Sequence, residues 1–471
     1  MISNSDVPQV YVNTYIDKVE NFLLVYNPIS EKGIVVLNKE AAFLLQLIDG
    51  KRKIEDILLI AKQLDPKIEI AQLISIFDDF VSSEIAYVGI LKNKEKLFSK
   101  KPTHLGVWLH ITNQCNLRCT YCYVYKTSDS MNENLANEAL KKIIADAKKH
   151  SFKKITVKFS GGECLLKLPQ VLDLVHFGRE LAKDAKIDIE FVVLTNGVLL
   201  TEKIASTLKQ ENVRVAVSLD GLERYHDSQR IFANGLGSFK FVEKGIENLL
   251  KAKVPFNVSV TITSKNVENI PDLTKYLLKR NIPFAFNFYR ENPHVKEELE
   301  GDDKKLVESL KEAYQLIYDN PPRYSLINGL LDRVSFKRPH CWACGMGHNY
   351  IVVRQDGKMV SCQMTLEKSI GSIDDEDLVK TMLKGSFIKP KKLTVDDKTP
   401  CKTCQWKYIC SGGCPLLTFN QRGKYNISSP YCAVYKALIP EVLRIEAKRL
   451  IKYGYPNSNE IKTDLPSSLP L

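Results

Sequence analysis

The sequence predicts an α/β protein: a partial (β/α)6 TIM-like barrel, open on one side, between a small α+β module and a cysteine-rich C-terminal part. Three observations carry this expectation. Between residues 104 and 290, six strand-like segments alternate with helical ones, the pattern of parallel α/β folds. The first hundred residues instead run three short strands and then three helices. The twelve cysteines are also segregated: none before Cys115, four between 115 and 164, and eight from Cys341 to Cys432. The expected boundaries are 1–100, 101–325, 326–445, and a tail over 446–471.

In the first part, Val10–Ile16, Phe22–Tyr26 and the β-branched Gly33–Leu37 read as strands. Lys39–Ile48 has helical periodicity and stops at Asp49-Gly50; Ile54–Gln63 and Ile68–Ser83 are two more helices. The lysine-rich Leu91–Lys101 reads as the linker out. Expected barrel strands are His104–Ile111, Ile155–Ser160, Ile187–Thr195, Arg214–Leu219, Phe256–Ile262 and Pro283–Tyr289. The helices between them are Asn134–His150, Leu168–Asp184, Thr201–Gln210, Phe239–Ala252 and Ile270–Lys279. Near the C-terminus, Ile351–Val360 reads as a hairpin turning at Asp356-Gly357. The Pro- and Ser-bearing Tyr455–Leu471 should be loosely ordered.

Composition narrows the class. Hydrophobic residues make up 44% and charged residues 26%, ordinary for soluble globular protein. No apolar run approaches the ~18 residues that cross a bilayer. The start has no basic segment followed by an apolar core, so no secretory signal is expected. A cytoplasmic protein follows, and in that reducing compartment twelve cysteines point to metal or redox work rather than disulfides. The net charge of +12 is uneven: residues 1–100 carry −2, the remainder +14. A basic catalytic portion would attract an acidic peptide or an acidic electron-transfer protein, although a lysine-rich solvated surface gives the same figure. No basic stripe with interleaved aromatics argues for nucleic acid.

The most informative run is Cys115-Asn-Leu-Arg-Cys119-Thr-Tyr-Cys122. Iron–sulfur clusters usually take four cysteines. A compact trio with no nearby fourth suits a [4Fe–4S] cubane with one open iron, where a metal does chemistry. Zinc loops usually supply ligands in pairs. Further motifs fall at successive strand ends: Ser160-Gly161-Gly162-Glu163, Thr195-Asn196-Gly197, Ser218-Leu-Asp220-Gly221, and then Arg230. In barrels of this type chemistry sits at the carboxyl ends of the strands. Together these residues resemble the radical SAM enzymes. The resemblance implies that Cys115, Cys119 and Cys122 hold the cluster and that S-adenosylmethionine chelates its open iron. It further implies that Tyr121 touches the adenine, Gly162 and Glu163 receive the amino group, Ser218 meets the ribose, and Arg230 grips the carboxylate.

The remaining eight cysteines run Cys341, Cys344, Cys362, then Cys401-x2-Cys404-x5-Cys410-x3-Cys414, then Cys432. Eight thiols make two clusters of four, or two structural zinc sites. With the hairpin, the run resembles the SPASM extension of radical SAM enzymes. By that resemblance one auxiliary [4Fe–4S] cluster takes Cys341, Cys344, Cys362 and Cys414, and the other takes Cys401, Cys404, Cys410 and Cys432. That gives three clusters in all, the auxiliary pair serving electron transfer. Cys164, the twelfth cysteine, reads as a small buried hydrophobe.

The N-terminal strands and helices resemble a small winged-helix fold. Leu37-Asn-Lys-Glu-Ala-Ala and Asp49-Gly50-Lys-Arg-Lys-Ile54 resemble the recognition domain of ribosomal-peptide modification systems. The whole layout is similar to peptide maturases that form thioethers. It implies a precursor peptide whose leader adds a strand beside Gly33–Leu37, and an electron donor such as an acidic flavodoxin or ferredoxin. A carbon–carbon or carbon–oxygen cross-link is the alternative product. A non-catalytic iron–sulfur or zinc scaffold is the alternative of another class. Sulfatase-maturing enzymes place an aspartate base after the third auxiliary cysteine, where this chain has Gln363.

Overall fold

A computed structural model describes residues 2–64, 66–89, 101–295, 297–385 and 393–454. The expected linker, apart from Lys101, and the tail from Tyr455 onward lie outside the described residues.

The first module contains β1 (Pro8–Val10), β2 (Tyr15–Val19), β3 (Phe22–Tyr26), β4 (Ile34–Leu37), α1 (Lys39–Gln46), α2 (Ile54–Leu64), α3 (Ile70–Ser82) and β5 (Ala86–Val88). β2, β3 and β4 form an antiparallel sheet with β4 at one edge, and β1 pairs with β5. The expected strand Val10–Ile16 is therefore two strands. A turn divides them: the Thr14 hydroxyl and N–H both donate to the Tyr11 carbonyl, and Asn13 takes φ +67°, which asparagine tolerates. Asn38 caps α1 by accepting from the Ala41 N–H at 3.0 Å. The three helices bury Leu44, Ile57, Phe77 and Phe80 in one apolar core.

The barrel runs β6 (His104–Thr112), α4 (Glu133–Lys149), β7 (Lys154–Gly161), α5 (Leu168–Ala185), β8 (Asp188–Thr195), α6 (Glu202–Gln210), β9 (Arg214–Ser218), α7 (Arg224–Asp227), α8 (Phe239–Lys251), β10 (Phe256–Ile262), α9 (Ile270–Lys279), β11 (Phe284–Phe288) and α10 (Asp303–Asp319). The six strands lie side by side in chain order, all parallel. This is the expected α/β fold. Successive residues alternate across each strand. Val107, Leu109 and Ile111 of β6, with Val157 and Phe159 of β7, join the main apolar core.

The C-terminal part holds β12 (Tyr350–Val353), β13 (Lys358–Val360), β14 (Ser369–Ser372), α11 (Leu378–Gly385), α12 (Lys407–Cys410), α13 (Pro415–Arg422) and α14 (Cys432–Tyr453). The hairpin turns at Asp356-Gly357 as expected, with Gly357 at φ +78°. Its first strand also pairs in parallel with β6, Val352 opposite Trp108, so the hairpin continues the barrel sheet on the side left open. The stretch read as tail from residue 446 is helix as far as Tyr453, because α14 runs on through it. α14 packs on α10 and reaches the first module, where Arg444 bonds Asp17 at 2.7 Å and Lys448 meets Glu20.

Asp377 fastens α11 to α4. Its buried carboxylate accepts from His150 at 2.9 Å and from the Lys380 N–H, and it pairs with Lys149 at 3.0 Å. Burial pushes this carboxyl up, but these partners outweigh it and hold the group well below the usual carboxylate range. A depressed carboxylate stabilises fully above its unfolded value near ~4, and that contribution is lost as pH falls through the folded value. Asp377→Ala should cost about 2–3 kcal/mol in urea unfolding at pH 7. The gap between variant and parent should begin to narrow as pH falls below about 4 and close only once pH has fallen through the much lower folded value.

Candidate active site

The site is built on the carboxyl ends of β6–β9. The loop after β6 is fixed from both sides. Arg118 N–H donates to the Ile231 carbonyl at 2.7 Å and Thr120 N–H to Gln229 at 2.9 Å, while Gly162 N–H donates to Thr112 and Glu163 N–H to Gln114. The two glycines are required by contact. A Cβ on Gly161, at φ +127°, would lie 2.3 Å from the Thr112 carbonyl oxygen, and one on Gly162 would lie 2.0 Å from that of Gln114. The root of the cysteine loop thus rests directly on bare backbone.

Cys115, Cys119 and Cys122 all face one cavity of about 750 Å³ between the strand ends and the C-terminal part. Polar groups already surround the sulfurs. Leu117 N–H lies 3.4 Å from Cys115 Sγ, Lys126 Nζ 3.2 Å from Cys122 Sγ, and Arg230 Nη1 3.9 Å from Cys119 Sγ. Burial pushes the Cys119 thiol up to about 12, against the pull of Arg230. Among the described residues, no three His, Cys, Asp or Glu side chains close on one point as a mononuclear zinc site would require. Three thiols spaced around an open cavity, with a glycine-lined wall, fit a larger cubane cluster and a small ligand beside it.

Of the expected cofactor contacts, Tyr121, Gly162, Ser218 and Arg230 line this cavity. Glu163 does not. Its carboxylate is wholly buried and accepts from Leu165 N–H at 3.0 Å, Thr195 hydroxyl at 2.8 Å and Asn196 N–H at 2.8 Å. It ties β7 to β8 behind the glycines, whose backbone is what the cavity meets. Arg230 forms a buried pair with Asp220, Nε to Oδ2 at 2.6 Å, and Asp220 also accepts from the Tyr121 hydroxyl at 2.5 Å. The guanidinium sits 5.4 Å from the Tyr121 ring centre. Burial opposes the Arg230 charge, and Asp220 outweighs it. The sequence reading gave Asp220 no role, although it stood inside a quoted motif. Asn196 was also missed; it bonds Asn116 at 2.7 Å and approaches Cys115 Sγ at 3.8 Å.

The C-terminal cysteines fall into two places. Cys401, Cys404, Cys410 and Cys432 line one cavity of about 600 Å³. Cys344, Cys362 and Cys414 line the large cavity opposite the first trio. Cys341 lines a small cavity of about 30 Å³ together with Cys344, so it stands behind that second trio. Burial pushes the Cys414 thiol up, but Arg290 and Arg333 outweigh it and hold it below the usual range. Gln363 accepts from the Tyr350 hydroxyl at 3.0 Å. Cys164 is wholly buried in the core, as expected. Among the described residues no helix is long and apolar enough to cross a membrane.

Comparison with known proteins agrees with this geometry. Residues 109–277 match the model of the radical SAM superfamily. The chain is 27% identical over 352 residues to the cysteine-type anaerobic sulfatase-maturating enzyme of Clostridium perfringens (strain ATCC 13124), covering 68% of this chain and 91% of that one. A structure of anSMEcpe with bound AdoMet and Cp18Cys peptide superposes with a TM-score of 0.58 at 25% identity, over 74% of this chain and 99% of the other. SuiB of Streptococcus suis, bound to S-adenosylmethionine, shares the fold: TM-score 0.52 at 14% identity, over 89% of this chain and 98% of the other. The strand ends and the cysteine loop that rests on them therefore constitute a radical SAM domain, homologous to that of the anaerobic sulfatase-maturating enzymes.

Proposed function

We propose that this chain is a peptide maturase: it cross-links a ribosomally made precursor peptide, forming a thioether from a cysteine sulfur to carbon. One observation supports this above the others. The cavity that takes the first cysteine trio is continuous with Cys344, Cys362 and Cys414, so a substrate there lies between two cluster sites. Cys115, Cys119 and Cys122 would hold the first [4Fe–4S] cluster. Cys344, Cys362 and Cys414, with Cys341 behind them, would hold one auxiliary cluster, and Cys401, Cys404, Cys410 and Cys432 the other. When bound, S-adenosylmethionine and its cluster supply a radical that takes a hydrogen atom from an unactivated carbon.

The chain's own residues position and enclose. The Asp220–Arg230 pair presents a fixed guanidinium to the cofactor carboxylate. Backbone at Gly161 and Gly162 admits the amino group closely, and Glu163 holds that wall in place. Ser218 and Tyr121 would meet the ribose and adenine. The hairpin that continues the sheet covers the open side and excludes water.

Substrate delivery rests on the N-terminal module. β4 is an edge of its sheet, so a leader could add a strand beside it and hold the core peptide near the barrel at high effective concentration. The relative that binds a Cp18Cys peptide lends weight to a peptide substrate. Gln363 in the position of the aspartate base argues for a product other than that of sulfatase maturation. The basic charge outside the first module suits an acidic flavodoxin or ferredoxin as donor. The decisive experiment is anaerobic co-expression with candidate precursor peptides, each a short cysteine-containing sequence encoded in a neighbouring open reading frame. A peptide lighter by two hydrogens per link, with its cysteine thiols no longer alkylated, is the expected result. Loss of hydrogen with free thiols would favour the carbon–carbon or carbon–oxygen product. An unaltered peptide and no 5′-deoxyadenosine would favour a scaffold.

A further inference from the structure

The large cavity has a floor whose polar groups the cofactor reading leaves unused. Lys158 lies midway along β7 between Val157 and Phe159, both wholly buried in the core, so alternation turns it toward the barrel interior, and it lines the cavity. Trp108 is its registered partner on β6 and lines the same cavity. Registered residues on neighbouring strands share a face. Trp108 is only 9% exposed, and its indole Nε1 has no hydrogen-bond partner among the described residues. The Lys158 ammonium likewise makes no hydrogen bond or ion pair among the described residues. The other cations of the cavity are engaged: Arg230 by Asp220, Arg290 by Asp332, and Lys126 by Cys122. Asp332 is the one carboxylate among the residues lining this cavity, and Arg290 holds it at 2.5 Å. Arg333, which also lines the cavity, has the same sign, and burial followed by Arg333 lowers the Lys158 ammonium's pKa.

Two donors on registered neighbouring residues, both without an acceptor among the described residues and one of them an ammonium, cost stability unless a ligand satisfies them. A carbonyl oxygen would satisfy the indole but leave the ammonium uncompensated. We infer that Trp108 and Lys158 form a subsite for a carboxylate of the substrate peptide, from an acidic side chain or a chain end, beside the carbon that reacts. The two donors match the two oxygens of that group. This assignment rests on the peptide-maturase reading and names what the cavity recognises.

Bound carboxylates can be detected directly, because reduced clusters relax nearby protons. Reconstituted, reduced enzyme saturated with S-adenosylhomocysteine, which carries the cofactor's carboxylate but no sulfonium bond to cleave, is mixed with N-acetylaspartate amide, N-acetylalanine or N-acetylasparagine amide, and proton relaxation of each probe is measured. Saturation seats the cofactor's own carboxylate first. At least one of the two carboxylate probes should be relaxed about tenfold more than the asparagine probe. The aspartate probe alone would identify a side chain as the source, and N-acetylalanine alone a chain end. Lys158→Met should abolish the preference. It should also raise the unfolding midpoint, because it removes an unpaired buried charge. Equal relaxation of all three probes, a preference that S-adenosylhomocysteine abolishes, or a Lys158→Met variant less stable than the parent would overturn the assignment. Formation of 5′-deoxyadenosine by the parent enzyme without probe is read separately. It tests the radical reading and can succeed while the carboxylate preference fails.

Discussion

Cys119→Ala should abolish reductive cleavage of S-adenosylmethionine, lowering 5′-deoxyadenosine formation by at least ~1,000-fold. On the proposed assignment of three clusters, iron should fall by about a third, from about twelve per chain to about eight, because the cysteines proposed for the other two remain. Cys119 is the trio member beside the cofactor-facing arginine: Arg230 approaches its sulfur at 3.9 Å, and burial holds its thiol up near 12. With two thiols left, a cubane has two unligated irons and no fixed orientation against the glycine wall. Cys164→Ala supplies the contrast. That thiol is wholly buried, donates to the Leu194 carbonyl, and lies outside the cavity. Its loss should cost about 1 kcal/mol of stability and leave iron unchanged. Iron assay and chromatography of the nucleoside check both variants. A Cys119→Ala enzyme that still makes 5′-deoxyadenosine would sink the assignment of this trio.

Local chemistry made the barrel legible before any coordinates. Strand and helix periods switch cleanly from Lys154 to Phe288, and each boundary fell within a residue or two of its expected place. What escaped was non-local. Pairing of β12 with β6 joins residues about 245 apart, and nothing in Tyr350–Val353 announces its partner. α14 begins at a cysteine and carries Pro440, so the sequence places its first half in the cysteine-rich part without an assigned element and its end in the tail. The strand expected over Val10–Ile16 failed because alternation continued through a turn that only Asn13 and Thr14 mark. In the site, the thiols were visible because spacing along the chain defines them. Lys158 and Trp108 were not, since a polar residue inside a strand has meaning only once the barrel shows which way it points. Glu163 was visible but faces the fold rather than the cavity, a direction that spacing does not encode.

Asp220→Ala should destabilise the chain by about 3–5 kcal/mol and weaken S-adenosylmethionine binding together. Asp220 is wholly buried and accepts from three directions: Arg230 at 2.6 Å, the Tyr121 hydroxyl at 2.5 Å, and the Thr261 N–H at 2.8 Å. Removing it strands a buried guanidinium and two donors at once. Most of the cost is that uncompensated charge, since exchanging a whole buried pair for apolar groups is often nearly neutral. The double variant Asp220→Ala with Arg230→Met should therefore recover much of the lost stability while leaving cofactor affinity low, because no guanidinium remains for the carboxylate. Urea unfolding reads the first quantity, and equilibrium binding of S-adenosylmethionine to reconstituted enzyme reads the second. Opposite movement of the two readouts separates a residue that merely supports the fold from one that also aims Arg230. Parallel recovery of both in the double variant would show that the arginine does not meet the cofactor, and the carboxylate would then have to be held by another cation lining the cavity, Lys126 being the one beside the trio.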